Sequence, residues 1–340
     1  MTWLAVAVTV LALVASCGVR GVTPGAGVDR KASCQVRRAA YDIGSATTKM
    51  KVAVVDRCSG SVVRTLASAE EAVFYRRDIL RRPARLRDET MERGLRALRR
   101  LHDLAGRYQP QEQYGVATAA FRTAENGSRF LERVHRSLGL SVVIITQTEE
   151  SRLGFLAAVA ATRIEPRRAV VWDVGGGSME LTSLDDQGRM TTYDGDLASG
   201  QMERYLLDLE GKAPMVSPNP LDESQVERGI AYATEHAQQS VPEPLRAKLL
   251  RPDTVVIGIG ATRYYADGLD NSDRLVTLAA LARGIEMRLG KADVEIGGAY
   301  ASTAVSDRIL LLGYMTGLGI HTVRVTDAGL TDAVLVEATR

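Results

Sequence analysis

Asp173-Val174-Gly175-Gly176-Gly177-Ser178-Met179-Glu180 follows the apolar run Ala169-Val170-Val171-Trp172. The run reads as a buried strand that ends in an aspartate and breaks into glycines. Glycine permits a tight turn and lets backbone N–H groups face an anion with no side chain in the way. Ser178 adds a hydroxyl donor. The aspartate repels phosphate, so its place in such a turn is to hold a divalent cation or orient a water. Upstream, Asp42-Ile43-Gly44-Ser45 repeats the arrangement in shorter form. Two such turns opening successive halves imply a duplicated fold that grips phosphate between its lobes.

The rest of the chain fits that division. Strands are expected over 36–43, 49–56, 61–68, 113–118 and 141–145, with helices over 88–107 and 127–138. Met91, Leu95, Leu98, Leu101 and Leu104 keep to one stripe of the first helix, which Asp88 can cap. The second half repeats the rhythm. Strands are expected over 169–174, 179–184, 189–193, 254–259 and 322–325, and helices over 201–209, 222–239 and 274–289. Alternating strands and helices in both halves define an α/β protein of two domains. Its 340 residues, 45% hydrophobic and 25% charged, can fill two cores. Four histidines and three cysteines leave no zinc-type cluster.

Further motifs lie in order along the chain. They are Ala117-Thr118-Ala119-Ala120-Phe121-Arg122, Thr148-Glu149-Glu150-Ser151-Arg152-Leu153 and Gly258-Ile259-Gly260-Ala261-Thr262. With the two aspartate turns, they resemble the exopolyphosphatase/guanosine-pentaphosphate phosphohydrolase family, in its short two-domain form. That family lies within the superfamily of actin, sugar kinases and heat-shock chaperone ATPases. The resemblance implies two actin-like (ribonuclease H-like) α/β domains, residues 36–147 and 148–340, with the active site in the cleft between them and the last helix able to pack back on the first. It implies that Glu150 activates water, and that Asp173 and Glu180 serve magnesium and the attacking water. Asp42, Gly44, Ser45, Gly175, Gly176, Gly177, Ser178, Gly258, Gly260 and Thr262 would hold phosphates, and Arg122 would pair with one. Phosphoryl transfer asks for this kind of set, because it needs placed charge and a placed water more than covalent chemistry.

Two departures bear on substrate. Ala46-Thr47 stands where relatives carry Asn-Ser, and Thr331-Asp332-Ala333 replaces part of a Gly-Leu-Arg-Glu-Gly pattern. Inorganic polyphosphate is the expected substrate of an exported protein, and guanosine pentaphosphate that of a cytoplasmic one. A non-catalytic polyphosphate or nucleotide sensor is the alternative outside enzymes. No duplex nucleic acid is expected as a partner, and a homodimer stays open.

Residues 1–17 read as an export signal, with Val14-Ala15-Ser16-Cys17 resembling a lipobox that would lipidate Cys17 and anchor the chain to a membrane. The n-region lacks Lys and Arg, so a misassigned start and a cytoplasmic protein form the alternative. Residues 18–35 read as a tether. Export permits a disulfide between Cys34 and Cys58, which flank the first hairpin; a three-residue turn at 45–47 would place them directly opposite. Finally, Arg76, Arg77, Arg81 and Arg82, in a loop near Pro83, are expected to contact the polyanion.

Overall fold

The computed structural model describes residues 34–81, 83–212, 217–265 and 274–337. The export signal, Cys17, most of the tether and Arg82 lie outside them.

Two α/β lobes share one plan. In the first, β1 (Gln35–Ile43), β2 (Thr47–Asp56) and β3 (Ser61–Ala72) form an antiparallel meander. Next, β4 (Glu112–Ala117) and β5 (Val142–Ile144) add in parallel beside β1, giving the order β3-β2-β1-β4-β5. In the second, β6 (Ala169–Val174), β7 (Met179–Leu184) and β8 (Met190–Gly195) repeat the meander. Then β9 (Val255–Gly260) and β11 (Thr322–Val325) add in parallel, and β10 (Leu275–Thr277) closes the edge. Five strands follow the same order in each lobe, which is the duplicated α/β architecture read from the two aspartate turns.

Burial follows pairing. β1 and β6 lie mid-sheet and are largely buried on both faces, as strands covered on two sides are. Edge strand β3 has only exposed and half-buried positions. The first lobe packs Tyr41, Ile43 and Met50 against Leu95, Leu98 and Leu101 of the helix Asp88–Gly106. The second centres on Trp172 and Met179 against Ile309 and Tyr314 of the helix Ser306–Leu318.

That last helix, and Gln147–Thr162, are absent from the elements read in the sequence. Both bury residues around much of their circumference, so neither carries the one-sided stripe that marks a surface helix. The expected helix over 274–289 instead begins as β10 and turns helical only at Leu278. There Thr277 accepts the Ala280 N–H at 3.2 Å as a cap.

The chain also crosses back. The helix Leu330–Glu337 packs onto β1 and β2, where Leu330, Ala333, Val334 and Leu335 join Val36, Ala40, Ala53 and Val55 in one core. Arg38, buried in the first lobe, donates to the Leu335 carbonyl at 2.7 Å.

Cys34 and Cys58 are joined by a disulfide, with Cα atoms 5.6 Å apart. The turn between β1 and β2 has four residues rather than three, since Ile43 pairs with Thr48. Cys34 therefore faces Arg57, whose N–H donates to its carbonyl at 2.9 Å, and the bond reaches one position further. Closing a span of 24 residues restricts the unfolded chain by about 3 kcal/mol. The Cys34→Ser/Cys58→Ser variant should melt several degrees lower in non-reducing buffer. A melting point unchanged to within about one degree would remove the stabilising role.

Candidate active site

Both aspartate turns close identically. Gly44 N–H donates to the Thr47 carbonyl at 3.0 Å, and Gly175 N–H to the Ser178 carbonyl at 2.9 Å. In the second, pairing of Val174 with Met179 sets Asp173 directly across from Glu180. In the first, the same register sets Asp42 across from Lys49. The turns meet tip to tip. A Cβ on Gly177 would lie 2.7 Å from Ser45 Oγ, so only glycine lets the lobes approach this closely. Gly260, at φ 69°, is equally constrained: a Cβ there would lie 2.4 Å from Asp173 Oδ1.

Between the lobes lies a cavity of about 510 Å³, lined by Asp42, Glu150, Asp173, the Gly44–Thr47 turn and Gly175 to Ser178. Glu150 enters from the first turn of the helix Gln147–Thr162. Thr146 caps that helix by accepting the Glu149 N–H at 3.1 Å. One turn on, Gly154 lets the helix pack closely on β9: a Cβ there would lie 3.1 Å from Ile259 Cδ1.

The carboxylates raise one another's proton affinity. Burial, with Asp173 and Asp42 nearby, pushes Glu150 up to about 7 against the pull of Arg122. Burial also lifts Asp173 to about 6 and Asp42 in the same direction. Glu180, buried beside Glu150 and Asp173, is raised well above the carboxylate range. Asp42 Oδ1 is buried without a hydrogen-bond partner. An all-oxygen set with an orphaned carboxylate atom suits a hard divalent cation. No three of these carboxylates converge within 4.8 Å among the described residues, so such an ion would complete its shell with water and substrate oxygens.

Several expected contacts lie behind the cavity wall. Arg122 points to Glu150 rather than into the cavity, donating to Oε2 at 2.7 Å and to the Ile145 carbonyl at 3.0 Å. Both bonds leave from Nη1, while Nη2 is buried with no hydrogen-bond partner. Glu180, beside Asp173 on the neighbouring strand, is buried and accepts from Gln147 Nε2 at 2.9 Å. Thr262 is buried and spends its hydroxyl on the Ile259 carbonyl, beside Gly258. Ser45 lines the cavity while its Oγ accepts the Ala120 N–H at 2.9 Å.

Among the described residues the arginine cluster is split between two places. Residues 76–79 are helical, and Arg76 is buried against Glu203 at 3.1 Å, with Arg77 on the same carboxylate at 3.3 Å. Arg76 reaches the cavity wall, whereas the exposed Arg81 lines a separate depression with Pro83 and Arg87. A carboxylate far along the chain captures the first two, which local sequence could not reveal. Sequence reading also passed over Lys49, Lys51, Arg263 and Tyr300, which line the cavity; the alternation Lys49-Met50-Lys51 on β2 was the available signal for two of them.

Known proteins share this fold. Residues 54–194 match the model of the Ppx/GppA phosphatase family. An Aquifex aeolicus PPX-GPPA enzyme aligns at 20% identity over 89% of this chain and 99% of its own, with TM-score 0.64. An exopolyphosphatase from Cytophaga hutchinsonii aligns at 17% identity over 89% and 97%, with TM-score 0.70. An exopolyphosphatase-like protein reaches 0.72 at 20% identity, over 90% and 98%. Residues 54–194 thus resemble the Ppx/GppA phosphatase family, and the whole chain shares the fold of the solved Ppx/GppA structures.

Proposed function

We propose that the protein releases the terminal phosphate of inorganic polyphosphate, with Glu150 as the base that takes a proton from the attacking water. The observation that carries this reading is the Glu150 carboxylate, buried at the cavity wall between both glycine turns and held near neutral proton affinity. A base is most useful when its affinity lies close to the working pH. N–H groups of the glycine turns would face the terminal phosphate, and Asp173 would orient the water.

Asp42 and Asp173 are the residues that would hold magnesium or another divalent cation, which would supply charge neutralisation on the phosphates. Glu180, beside Asp173 on the neighbouring strand, would stay protonated and support Asp173. Polyphosphate is favoured over guanosine pentaphosphate because a disulfide flanks the first hairpin, and such bonds persist in oxidising compartments. That also supports export, with Cys17 as the lipid attachment point.

Phosphate release from long-chain polyphosphate should require a divalent cation and fall to background in a chelator. Guanosine pentaphosphate should be the poorer substrate by at least about tenfold in kcat/KM. The reverse ranking would move the protein to the cytoplasmic nucleotide reading. No release from either would leave a binding module.

A further inference from the structure

Every Lys and Arg that lines the cavity among the described residues stands against a carboxylate. Lys49 lies 3.8 Å from Asp42, Arg76 3.1 Å from Glu203 and Arg274 2.6 Å from Asp327, and Arg263 pairs with Glu70. The closest-held lysine is Lys51. Its ammonium donates to both oxygens of Asp332, at 2.6 and 2.7 Å, with side chains only 13% and 23% exposed. Lys51 lines the cavity while Asp332 stands behind it, in the first turn of the helix Leu330–Glu337. The acid therefore draws the ammonium away from the space where an anion would lie. Asp332 belongs to the Thr331-Asp332-Ala333 departure noted in the sequence.

Resting on the reading of the cavity as a phosphoanhydride site, we propose that Asp332 is a specificity-determining residue: it withholds Lys51 and so limits how many phosphate groups the cavity grips. Position explains why chain length is affected. Lys49 sits across from Asp42 beside the turn, and Lys51, two residues on, faces the same side of β2. Two strand residues span about 7 Å. Lys51 thus addresses a phosphate beyond the one next to the carboxylates. A partly buried pair gives up its partner reluctantly, since the freed carboxylate is left without its countercharge.

Calorimetric titration of the full chain with inorganic pyrophosphate and tripolyphosphate, without divalent cation so that no turnover occurs, tests this. Wild-type protein should bind the two within about threefold of each other. Asp332→Asn keeps an acceptor for the Gly329 N–H, now 3.0 Å away, and should tighten tripolyphosphate about tenfold but pyrophosphate less than about threefold. In Lys51→Met/Asp332→Asn the gain should vanish. Equal gains for both anions, no gain, or a gain that survives loss of Lys51 would overturn the proposal. Should Asp332→Asn not fold, the wild-type ratio decides: tripolyphosphate preferred by more than about tenfold would show that the outer cation is already available. Phosphate release with a divalent cation, assayed separately, reports on the hydrolase reading alone.

Discussion

Glu150→Gln should lower the turnover of polyphosphate by on the order of a thousandfold, the range expected when a general base is removed. An amide cannot take the water's proton, yet its oxygen can still accept from Arg122, which now donates at 2.7 Å. Release of phosphate within a few-fold of wild type would end the assignment. The same variant carries a stability signature. The Glu150 proton affinity is raised from 4.5 to about 7 in the fold, so the folded state favours the neutral acid. Stability from that preference is full below about pH 4.5 and is lost as pH climbs through about 7. Without divalent cation, Glu150→Gln should therefore melt above wild type at pH 8, with the difference shrinking toward pH 5. A variant that melts lower at pH 8 would show that the ionised carboxylate is the favoured form.

Arg122→Met should shift the rising limb of the kcat/KM profile alkaline by at least about one pH unit. After burial, the Arg122 guanidinium is the largest influence on Glu150, and it opposes the upward push. Removing it leaves burial, Asp173 and Asp42 unopposed, so less of the base is ionised at pH 7. Activity at pH 7 should fall tenfold or more and recover in part near pH 9, with KM within about threefold. Arg122→Lys should restore much of the profile. A large rise in KM with no alkaline shift would return Arg122 to the phosphate-contact role that the family resemblance implies.

What the sequence showed of this site was what lies close along the chain. The Asp173-to-Glu180 stretch is one hairpin, so strand pairing alone determines which residues face each other. Asp42, Gly44 and Ser45 follow by the same rule. Glu150 was marked by its Glu-Glu-Ser-Arg motif, while its helix went unread because burial on several sides erases the stripe. Arg122 lies 28 residues from Glu150, and Arg76 lies 127 from Glu203. Both separations lie beyond the reach of any local pattern, so only the fold could show which carboxylate each arginine meets. Lys51 and Asp332 are 281 residues apart. The departure at Asp332 was visible, but its partner was not.

The return of the helix Leu330–Glu337 onto β1 and β2 has a consequence for synthesis. Arg38 and Leu335, which touch in the finished protein, are 297 residues apart. At ribosomal speeds of about 5–20 residues per second, on the order of a quarter-minute to a minute passes between their emergence. Throughout that interval Val36, Ala40, Ala53 and Val55 lack the apolar cover that Ala333, Val334 and Leu335 provide. The first lobe, though made first, cannot be the first to finish. A nascent chain of this protein presents an uncovered patch on its opening sheet until its closing helix arrives, and needs either a chaperone there or delayed collapse to avoid pairing with a neighbour on the same message.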